Sequence, residues 1–289
     1  MKEYAVYWGC MIPHRLPSIE IAARYVLEKL GVRVREVENY TCCPDPIIGR
    51  FIDRKTALTL SARNLALAEE LGPELLVLCN GCFETLIEAA EALHDENTQA
   101  EINQILEKVG RKYRGAIQVR HVVEVLHDDV GLDRIKEVVQ KPSRVKLAVH
   151  YGCHLFREPD GEDIWRKPKQ FEELLRVIGG NPVLCDHNRL CCGFPTSHVD
   201  PEYSLRMNLL PKMRCYKQLK IEAVVTVCPA CTIQMETGQR MLRKFGLEIS
   251  VPIVHLMELM ALAFGMRPQE LSLKVHRSPV EDFARRVFG

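Results

Sequence analysis

Residues 4–10 read Tyr4-Ala-Val-Tyr-Trp-Gly-Cys10, and the second half of the chain repeats them as Leu147-Ala-Val-His-Tyr-Gly-Cys153. Each stretch is a short apolar run that ends at a cysteine, as a buried parallel strand would. The glycine before each cysteine lets the backbone turn sharply where the strand ends. Residues 75–79 and 223–228 are a second pair of this kind. The chain is therefore predicted to contain one fold twice.

Helical patterns follow these strands in both halves. Residues 19–30 carry an apolar stripe that Gly31 ends, and residues 53–71 form a longer amphipathic pattern. Residues 171–178 and 203–219 correspond to them in the second half. We predict an α/β fold with two pseudo-symmetric repeats, each a small parallel sheet flanked by helices with cysteines at the strand C-terminal ends.

The two repeats are placed at residues 1–142 and 143–289. Within the first, residues 94–142 lack cysteine and are expected to form a helical connector between the halves. The tail from Pro268 either docks on the second repeat or frays as a solvated terminus. Its candidate docking residues are Phe283, Val287 and Phe288.

Composition narrows the class of protein. The chain has 289 residues, 47% of them hydrophobic, and a net charge of +1, which argues against a general polyanion or nucleic-acid binder. The longest apolar stretch, residues 253–266, is too short to span a bilayer and is interrupted by His255 and Glu258. With no signal peptide evident, we expect a cytoplasmic protein without a membrane span. In a reducing compartment, paired cysteines more often bind metal or do redox work than form structural disulfides.

Ten of the twelve cysteines form two matching sets with the order Cys, Cys-Cys, Cys-x-x-Cys. In both sets 35 residues separate the doublet from the Cys-x-x-Cys, whereas 31 and 37 residues separate the lone cysteine from the doublet. The first set is Cys10, Cys42, Cys43, Cys79 and Cys82; the second is Cys153, Cys191, Cys192, Cys228 and Cys231. The repeated order predicts two copies of one metal site.

The chemistry of five thiols favours iron over zinc. Four thiolates already saturate zinc, and adjacent cysteines do not easily bind one tetrahedral ion. Iron–sulfur clusters favour cysteine thiolates and offer several metal atoms. Taken singly, a Cys-x-x-Cys could be a redox dithiol or half a zinc site, and a doublet could be a vicinal disulfide. Cys185 and Cys215 have no counterpart in the other half and are expected to be structural or incidental.

These motifs resemble the duplicated cysteine-rich CCG domain, and over essentially the whole chain they resemble the B subunits of heterodisulfide reductases from methanogenic archaea. One motif departs from the family, because Pro44 replaces the glycine that follows the second doublet as Gly193. Proline has no amide hydrogen to offer a cluster sulfur, so the two sites are expected to differ in reduction potential. The motifs are Trp8-Gly-Cys10, Cys42-Cys-Pro44, Cys79-Asn-Gly-Cys82, Tyr151-Gly-Cys153-His154, Cys191-Cys-Gly193-Phe194-Pro195 and Cys228-Pro-Ala-Cys231.

The resemblance implies two non-cubane [4Fe-4S] clusters, each held by five cysteines. It also implies an oxidoreductase that cleaves the coenzyme M–coenzyme B disulfide reductively between the two clusters, each capturing one sulfur. That substrate carries sulfonate, carboxylate and phosphate groups, which need cationic partners. The candidates, equivalently placed after the lone cysteines, are His14, Arg15, His154 and Arg157. His154 is also the candidate proton donor to a leaving thiolate.

Electrons must come from partner chains. The sequence lacks both the ferredoxin-like Cys-x-x-Cys-x-x-Cys-x-x-x-Cys-Pro run and a Gly-x-Gly-x-x-Gly flavin fingerprint. The expected partners are a ferredoxin-like iron–sulfur subunit and a flavin-containing subunit of the same complex. Three alternatives stay open: an electron carrier linked to quinones or hydroxyacid dehydrogenases, a sulfur-oxidising homologue that uses another disulfide or persulfide, and a zinc-stabilised scaffold.

Overall fold

Two four-stranded parallel sheets, one in each half of the chain, organise the structure. The computed structural model describes residues 2–45, 47–157 and 163–289. The first sheet has the order β2-β1-β3-β4 and the second the order β6-β5-β7-β8, which confirms the predicted duplicated α/β fold. The strands are β1 (Glu3–Tyr7), β2 (Arg33–Glu36), β3 (Glu74–Val77), β4 (Gln118–His121), β5 (Lys146–His150), β6 (Asn181–Val183), β7 (Ala223–Thr226) and β8 (Ile253–His255).

Helices connect the strands of the first half and cover its sheet. They are α1 (Met11–Arg15), α2 (Pro17–Leu30), α3 (Ile48–Ile52), α4 (Arg54–Glu69), α5 (Asn80–Ala92), α6 (Glu96–Leu106), α7 (Val122–Glu124) and α8 (Leu132–Val138), with a 3₁₀ turn at Glu107–Val109 and a π-helical segment at Val125–Val130.

The second half has a similar set of helices. They are α9 (Arg166–Val177), α10 (Pro201–Tyr203), α11 (Leu210–Gln218), α12 (Pro229–Met241), α13 (Leu256–Ala263) and α14 (Val280–Phe288). A π-helical segment, Ser204–Leu209, joins α10 to α11 into one helical run. Short 3₁₀ turns lie at Cys153–Phe156, Thr196–His198, Leu242–Phe245, Pro268–Glu270 and Leu273–Val275.

Local signals place the helix ends close to where the sequence predicts them. Gly31 ends α2 with a φ of 77°, a left-handed conformation that glycine adopts without strain. The side chain of Asp53 accepts a hydrogen bond from the Thr56 amide at 3.1 Å and so caps the start of α4. The predicted helix at residues 171–178 begins earlier, at Arg166, because polar residues at its start hide its apolar periodicity.

The segment at residues 94–142 is not only a helical connector. It contains β4, which pairs in parallel with β3, Leu75 opposite Val119 and Val77 opposite His121. Its counterpart β8 pairs with β7 in the second half. The sequence pattern did not predict β4, because this strand alternates polar and apolar residues over only four positions and is defined by its pairing with β3.

The two halves pack into shared apolar cores. One core contains Val6 of β1 together with Val149 of β5, and the other contains Ala5 and Ala148 from the opposite faces of the same strands. Helix α2 of the first half packs against α13 of the second. The C-terminal tail is docked, because α14 buries Phe283 and Phe288 and leaves Val287 partly exposed.

Within the described residues, no helix combines the length and apolar character needed to cross a membrane.

Candidate metal centre

The strand order brings the cysteines of each set to one crevice. In a doubly wound sheet, a site forms at the C-terminal strand ends where the strand order reverses. In the first sheet that point lies between β1 and β3, which lead to Cys10 and Cys79. In the second it lies between β5 and β7, which lead to Cys153 and Cys228. The topology therefore assembles the same crevice twice.

The Cys-x-x-Cys motifs lie where strand gives way to helix. Cys79 and Cys228 are the N-cap residues of α5 and α12, and Cys82 and Cys231 lie in the first turn of these helices. The free amides and the positive end of the helix dipole at such a terminus stabilise negative charge. The placement suits thiolates.

Each set divides into two exposed or half-buried cysteines, here called the outer pair, and three buried ones, the inner triad. The outer-pair sulfur atoms are 3.9 Å apart in the first set and 3.8 Å apart in the second. Two thiolates on one tetrahedral metal, at about 2.3 Å each, lie about 3.8 Å apart. The outer pairs are Cys10 with Cys42 and Cys153 with Cys191; the inner triads are Cys43, Cys79, Cys82 and Cys192, Cys228, Cys231.

The two inner triads meet at the boundary between the halves. The sulfur atoms of Cys79 and Cys228, equivalent residues of the two sets, are 3.9 Å apart. Beside them the amide of Asn80 donates a 2.8 Å hydrogen bond to the carbonyl oxygen of Tyr151 in the other half. Through this contact and those within each set, the ten cysteines form one continuous cluster.

Neighbouring side chains approach the backbone closely at two glycine positions beside the cysteines. Gly9 and Gly152 have φ values of +70° and +77°. A Cβ atom on Gly9 would lie 3.0 Å from the Cys82 sulfur, and one on Gly152 would lie 2.5 Å from the side-chain nitrogen of Asn80. Both positions therefore require glycine, as the repeated Gly-Cys pairs suggest.

A buried polar side chain holds each doublet loop. In the first half, Asn64 donates to the carbonyl oxygens of Thr41 and Cys42 at 3.1 and 3.3 Å. In the second, the Lys212 ammonium donates to the carbonyl oxygens of His187 and Leu190. Burial lowers the pKa of Lys212 to about 8, and the nearby thiols oppose that shift.

The thiols of each set perturb one another strongly. Hydrogen bonds from Cys153 and Cys192 lower the pKa of Cys191 to about 2. The hydrogen bond between Cys153 and Cys191, together with burial, raises the pKa of Cys153. In the first set, Cys42 and Cys82 lower the pKa of Cys43 to about 5. Thiolates packed this closely need a compensating positive charge to ionise together, and metal ions provide it. The donor set therefore fits a metal group in each half.

His150, which the sequence motifs did not single out, belongs to the second set's surroundings. One ring nitrogen of His150 and the sulfur atoms of Cys192 and Cys231 all lie within 4.8 Å of one another. Its side chain is fully buried, and within the described residues neither ring nitrogen has a hydrogen-bond partner. Burial lowers its pKa to about 3, so the ring is neutral. The signal was present in the sequence, since His150 replaces Tyr7 in the repeated strand.

Two other buried histidines have structural roles. His121 and His255 cap α7 and α13 in the same way, each accepting from the amide two residues later. A glutamate three residues on accepts from each histidine's own amide, Glu124 at 2.8 Å and Glu258 at 2.9 Å. The reciprocal bonds satisfy the first turns of the two short helices.

The four cationic candidates follow the lone cysteines in sequence but differ in their contacts. His14 and Arg15 are exposed on α1, and His14 donates to the carbonyl oxygen of Cys10 at 3.0 Å. His154 pairs with Glu84 of α5 and Arg157 pairs with Glu91 of the same helix. The second pair of candidates therefore bridges the two halves.

Cys185 and Cys215 lie outside both sets and form a disulfide. This bond links the loop that precedes the second doublet to α11. The sequence predicted a structural or incidental role but not the pairing.

The chain resembles known proteins over its whole length. The cysteine-rich domain family, CCG, matches residues 4–87 and 147–236. The B subunit of the ferredoxin/F(420)H(2)-dependent CoB-CoM heterodisulfide reductase of Methanosarcina acetivorans is 31% identical over 100% of this chain and 98% of its own length. The 8-methylmenaquinol:fumarate reductase membrane anchor subunit of Wolinella succinogenes is 32% identical over 94% of this chain and 95% of its own length.

One solved structure shares the fold. A hypothetical protein from Helicobacter pylori aligns with a TM-score of 0.73 at 17% sequence identity. The alignment covers 96% of this chain, which spans 52% of that protein.

Proposed function

This chain belongs to the cysteine-rich CCG domain family in both of its halves, and we propose that it is the catalytic iron–sulfur subunit of a heterodisulfide reductase complex. The proposed reaction is reductive cleavage of the coenzyme M–coenzyme B disulfide to two thiols. The proposed ligands are the ten cysteines of the two sets, five for each of two non-cubane [4Fe-4S] clusters.

The observation that carries the proposal is the contact between the two sets. Cys79 and Cys228 lie 149 residues apart in sequence, yet their sulfur atoms are 3.9 Å apart. Two independent electron carriers would not need such proximity, whereas cleavage of one bond between two metal groups does. The exposed or half-buried outer pairs leave one side of each set open to a substrate.

The reaction needs two electrons and two protons, because RS–SR′ becomes RSH and R′SH. Bound clusters would pass on the electrons and provide iron atoms that accept the two sulfur atoms. The chain's own residues would hold the substrate's anionic groups and deliver protons. Partner subunits, proposed to be a ferredoxin-like iron–sulfur protein and a flavoprotein, would supply the electrons.

His154 is the proposed proton donor, and Glu84 is its proposed positioning residue. The Glu84 carboxylate pairs with His154 Nδ1, and this contact orients the ring. The counterpart of this pair has no ionisable group, because Met11 of the first half stands in the place of His154 and Ile233 of the second half stands in the place of Glu84. Side-chain proton delivery is therefore proposed for the leaving thiolate beside the second set.

The exposed cations are the proposed anchors for the substrate's acidic groups. His14 and Arg15 project from α1 beside the first outer pair. Arg157 follows Cys153 by four residues, and an anion that binds it must compete with Glu91. The first set therefore offers the less encumbered anion site.

The test is anaerobic purification of the chain with its co-purifying subunits. We expect about four iron and four sulfide per set, and reduction of the coenzyme M–coenzyme B disulfide by a reduced viologen dye. An iron-loaded complex inert toward this disulfide would overturn the reductase assignment. Zinc in place of iron and sulfide would overturn the cluster assignment as well.

A quinone-linked electron-transfer role is the second candidate. It is supported by the Wolinella relative, which is 32% identical to this chain, as similar as the Methanosarcina reductase relative at 31%. Oxidation of a menaquinol analogue by the same preparation, without disulfide cleavage, would favour this role.

A further inference from the structure

One difference between the two metal centres lies at the buried position that ends the repeated strand. Tyr7 ends β1 three residues before Cys10, and His150 ends β5 three residues before Cys153. Both side chains are fully buried against the inner triad of their own set. Equivalent backbone positions therefore present different side-chain chemistry to the two sets of cysteines.

The hydroxyl group of Tyr7 donates its hydrogen bond to a backbone carbonyl oxygen and not to a cysteine. Its hydroxyl donates a 2.6 Å hydrogen bond to the carbonyl oxygen of Thr41, in the loop before the first doublet. The phenol has one hydrogen to donate, and that hydrogen is used. The first set receives no hydrogen bond from this side chain.

The ring of His150 has no comparable hydrogen-bond partner among the described residues. Within the part of the chain that the structure describes, neither of its ring nitrogens finds a partner. An imidazole always carries at least one N–H, and a buried donor left unsatisfied is strongly unfavourable. The acceptors that share its surroundings are the sulfur atoms of Cys192 and Cys231, within 4.8 Å.

We propose that His150 donates a hydrogen bond to a sulfur of the metal group at the second cysteine set and so raises the reduction potential of that group above that of the first. This inference rests on the proposed iron–sulfur function. Hydrogen bonds to cluster or ligand sulfur stabilise the more negative, reduced state. The amide of Gly193, 3.3 Å from the Cys191 sulfur, acts in the same direction, whereas Pro44 has none to offer.

The consequence is a direction for electron flow within the pair. An electron entering the complex would settle preferentially at the second set. The pseudo-symmetric fold would thus hold two clusters of the same type at different potentials.

The experiment is an EPR-monitored redox titration of the iron-loaded complex with His150→Leu, His150→Gln and Tyr7→Phe variants. The signal that survives Cys43→Ala assigns the second cluster. We expect His150→Leu to shift that signal to a more negative midpoint potential. His150→Gln, which keeps an N–H donor, should return it toward the wild-type value, and Tyr7→Phe, the matched change in the other half, should leave it unmoved.

The outcomes separate this inference from the function on which it rests. Wild-type protein without iron would overturn the proposed function. An unchanged second potential in iron-loaded His150→Leu protein would overturn only the role of His150. Loss of second-set iron in both His150 variants would also overturn it, because His150 would then act as a ligand or support rather than as a donor.

Discussion

The five cysteines within each set differ in burial, which indicates different roles for the outer pair and the inner triad. The inner triads are buried at the boundary between the halves, whereas the outer pairs reach solvent or lie partly exposed. In the proposed reaction the substrate would reach each set from its outer side, and electron transfer between the two groups would pass through the inner triads. Substitutions in the inner triads therefore test whether the two sites act together.

Cys192→Ala should remove nearly all disulfide cleavage rather than half of it, because each site is proposed to capture one sulfur atom. Residues that act as a unit are strongly non-additive, so Cys43→Ala with Cys192→Ala should cost little more than either change alone. The measurement is viologen-linked activity with iron content determined for each variant. About half the wild-type rate, with the first cluster intact, would show that the sites work independently.

His154→Ala should have a milder effect, on the order of the 10²–10⁴-fold loss in rate typical of a missing proton donor. Glu84→Gln should lower the rate less, because it weakens the contact that orients the ring but leaves the imidazole in place. Both variants should keep wild-type iron content, since neither side chain is a proposed ligand. A full rate in His154→Ala protein would exclude this histidine from proton delivery.

At the scale of elements, a disulfide and two side-chain hydrogen bonds connect the loop that carries the second doublet to α11. The Cys185–Cys215 disulfide ties it to α11, and Lys212 of the same helix holds two of its carbonyl groups. In the described part of the chain, the first doublet loop contains no disulfide and is held by hydrogen bonds, among them those of Asn64 from α4 and of Tyr7 from β1. The second loop therefore depends on covalent support that the first one lacks.

Cys185→Ser and Cys215→Ser should leave iron content per chain unchanged and lower the free energy of unfolding. Closing a loop of this length with a disulfide is worth about 2–4 kcal/mol. Iron analysis and anaerobic denaturant titration are the measurements, with Cys192→Ala as the comparison that does lose iron. A fall in iron content in either serine variant would bring these cysteines into the metal centre.

At the scale of the whole molecule, a buried ionic cluster joins the C-terminal segment to the second repeat. His276 lies between Glu236 of α12 and Glu258 of α13, at 2.9 Å from each, with Ser18 of α2 at 3.5 Å. Although burial opposes its charge, the two glutamates raise the pKa of His276 from 6.5 to about 10. Elements from both halves converge on this histidine.

Stability should therefore fall as pH rises from about 6.5 to about 10. A group whose folded-state pKa is raised contributes fully below its unfolded pKa and loses that contribution as pH passes the folded value. His276→Gln should flatten the dependence in this window, and His94→Gln, at an exposed histidine, should leave it unchanged. The measurement is the unfolding midpoint of each protein across that pH range. If stability fell as steeply with pH in the His276→Gln protein as in the wild type, His276 would not be the group responsible.

The sequence by itself determined the duplication, the fold class, the main strands and helices, and the two cysteine sets. These features are local: a strand that ends in Gly-Cys, a capped helix and a Cys-x-x-Cys at a helix start all depend on nearby residues. The tertiary structure alone decided which distant groups meet. The Cys79–Cys228 contact, the pairing of His154 with Glu84, the disulfide and the pairing of β4 with β3 join residues at least 30 positions apart. Such contacts follow from strand order and from the packing of one half on the other, which no local pattern encodes.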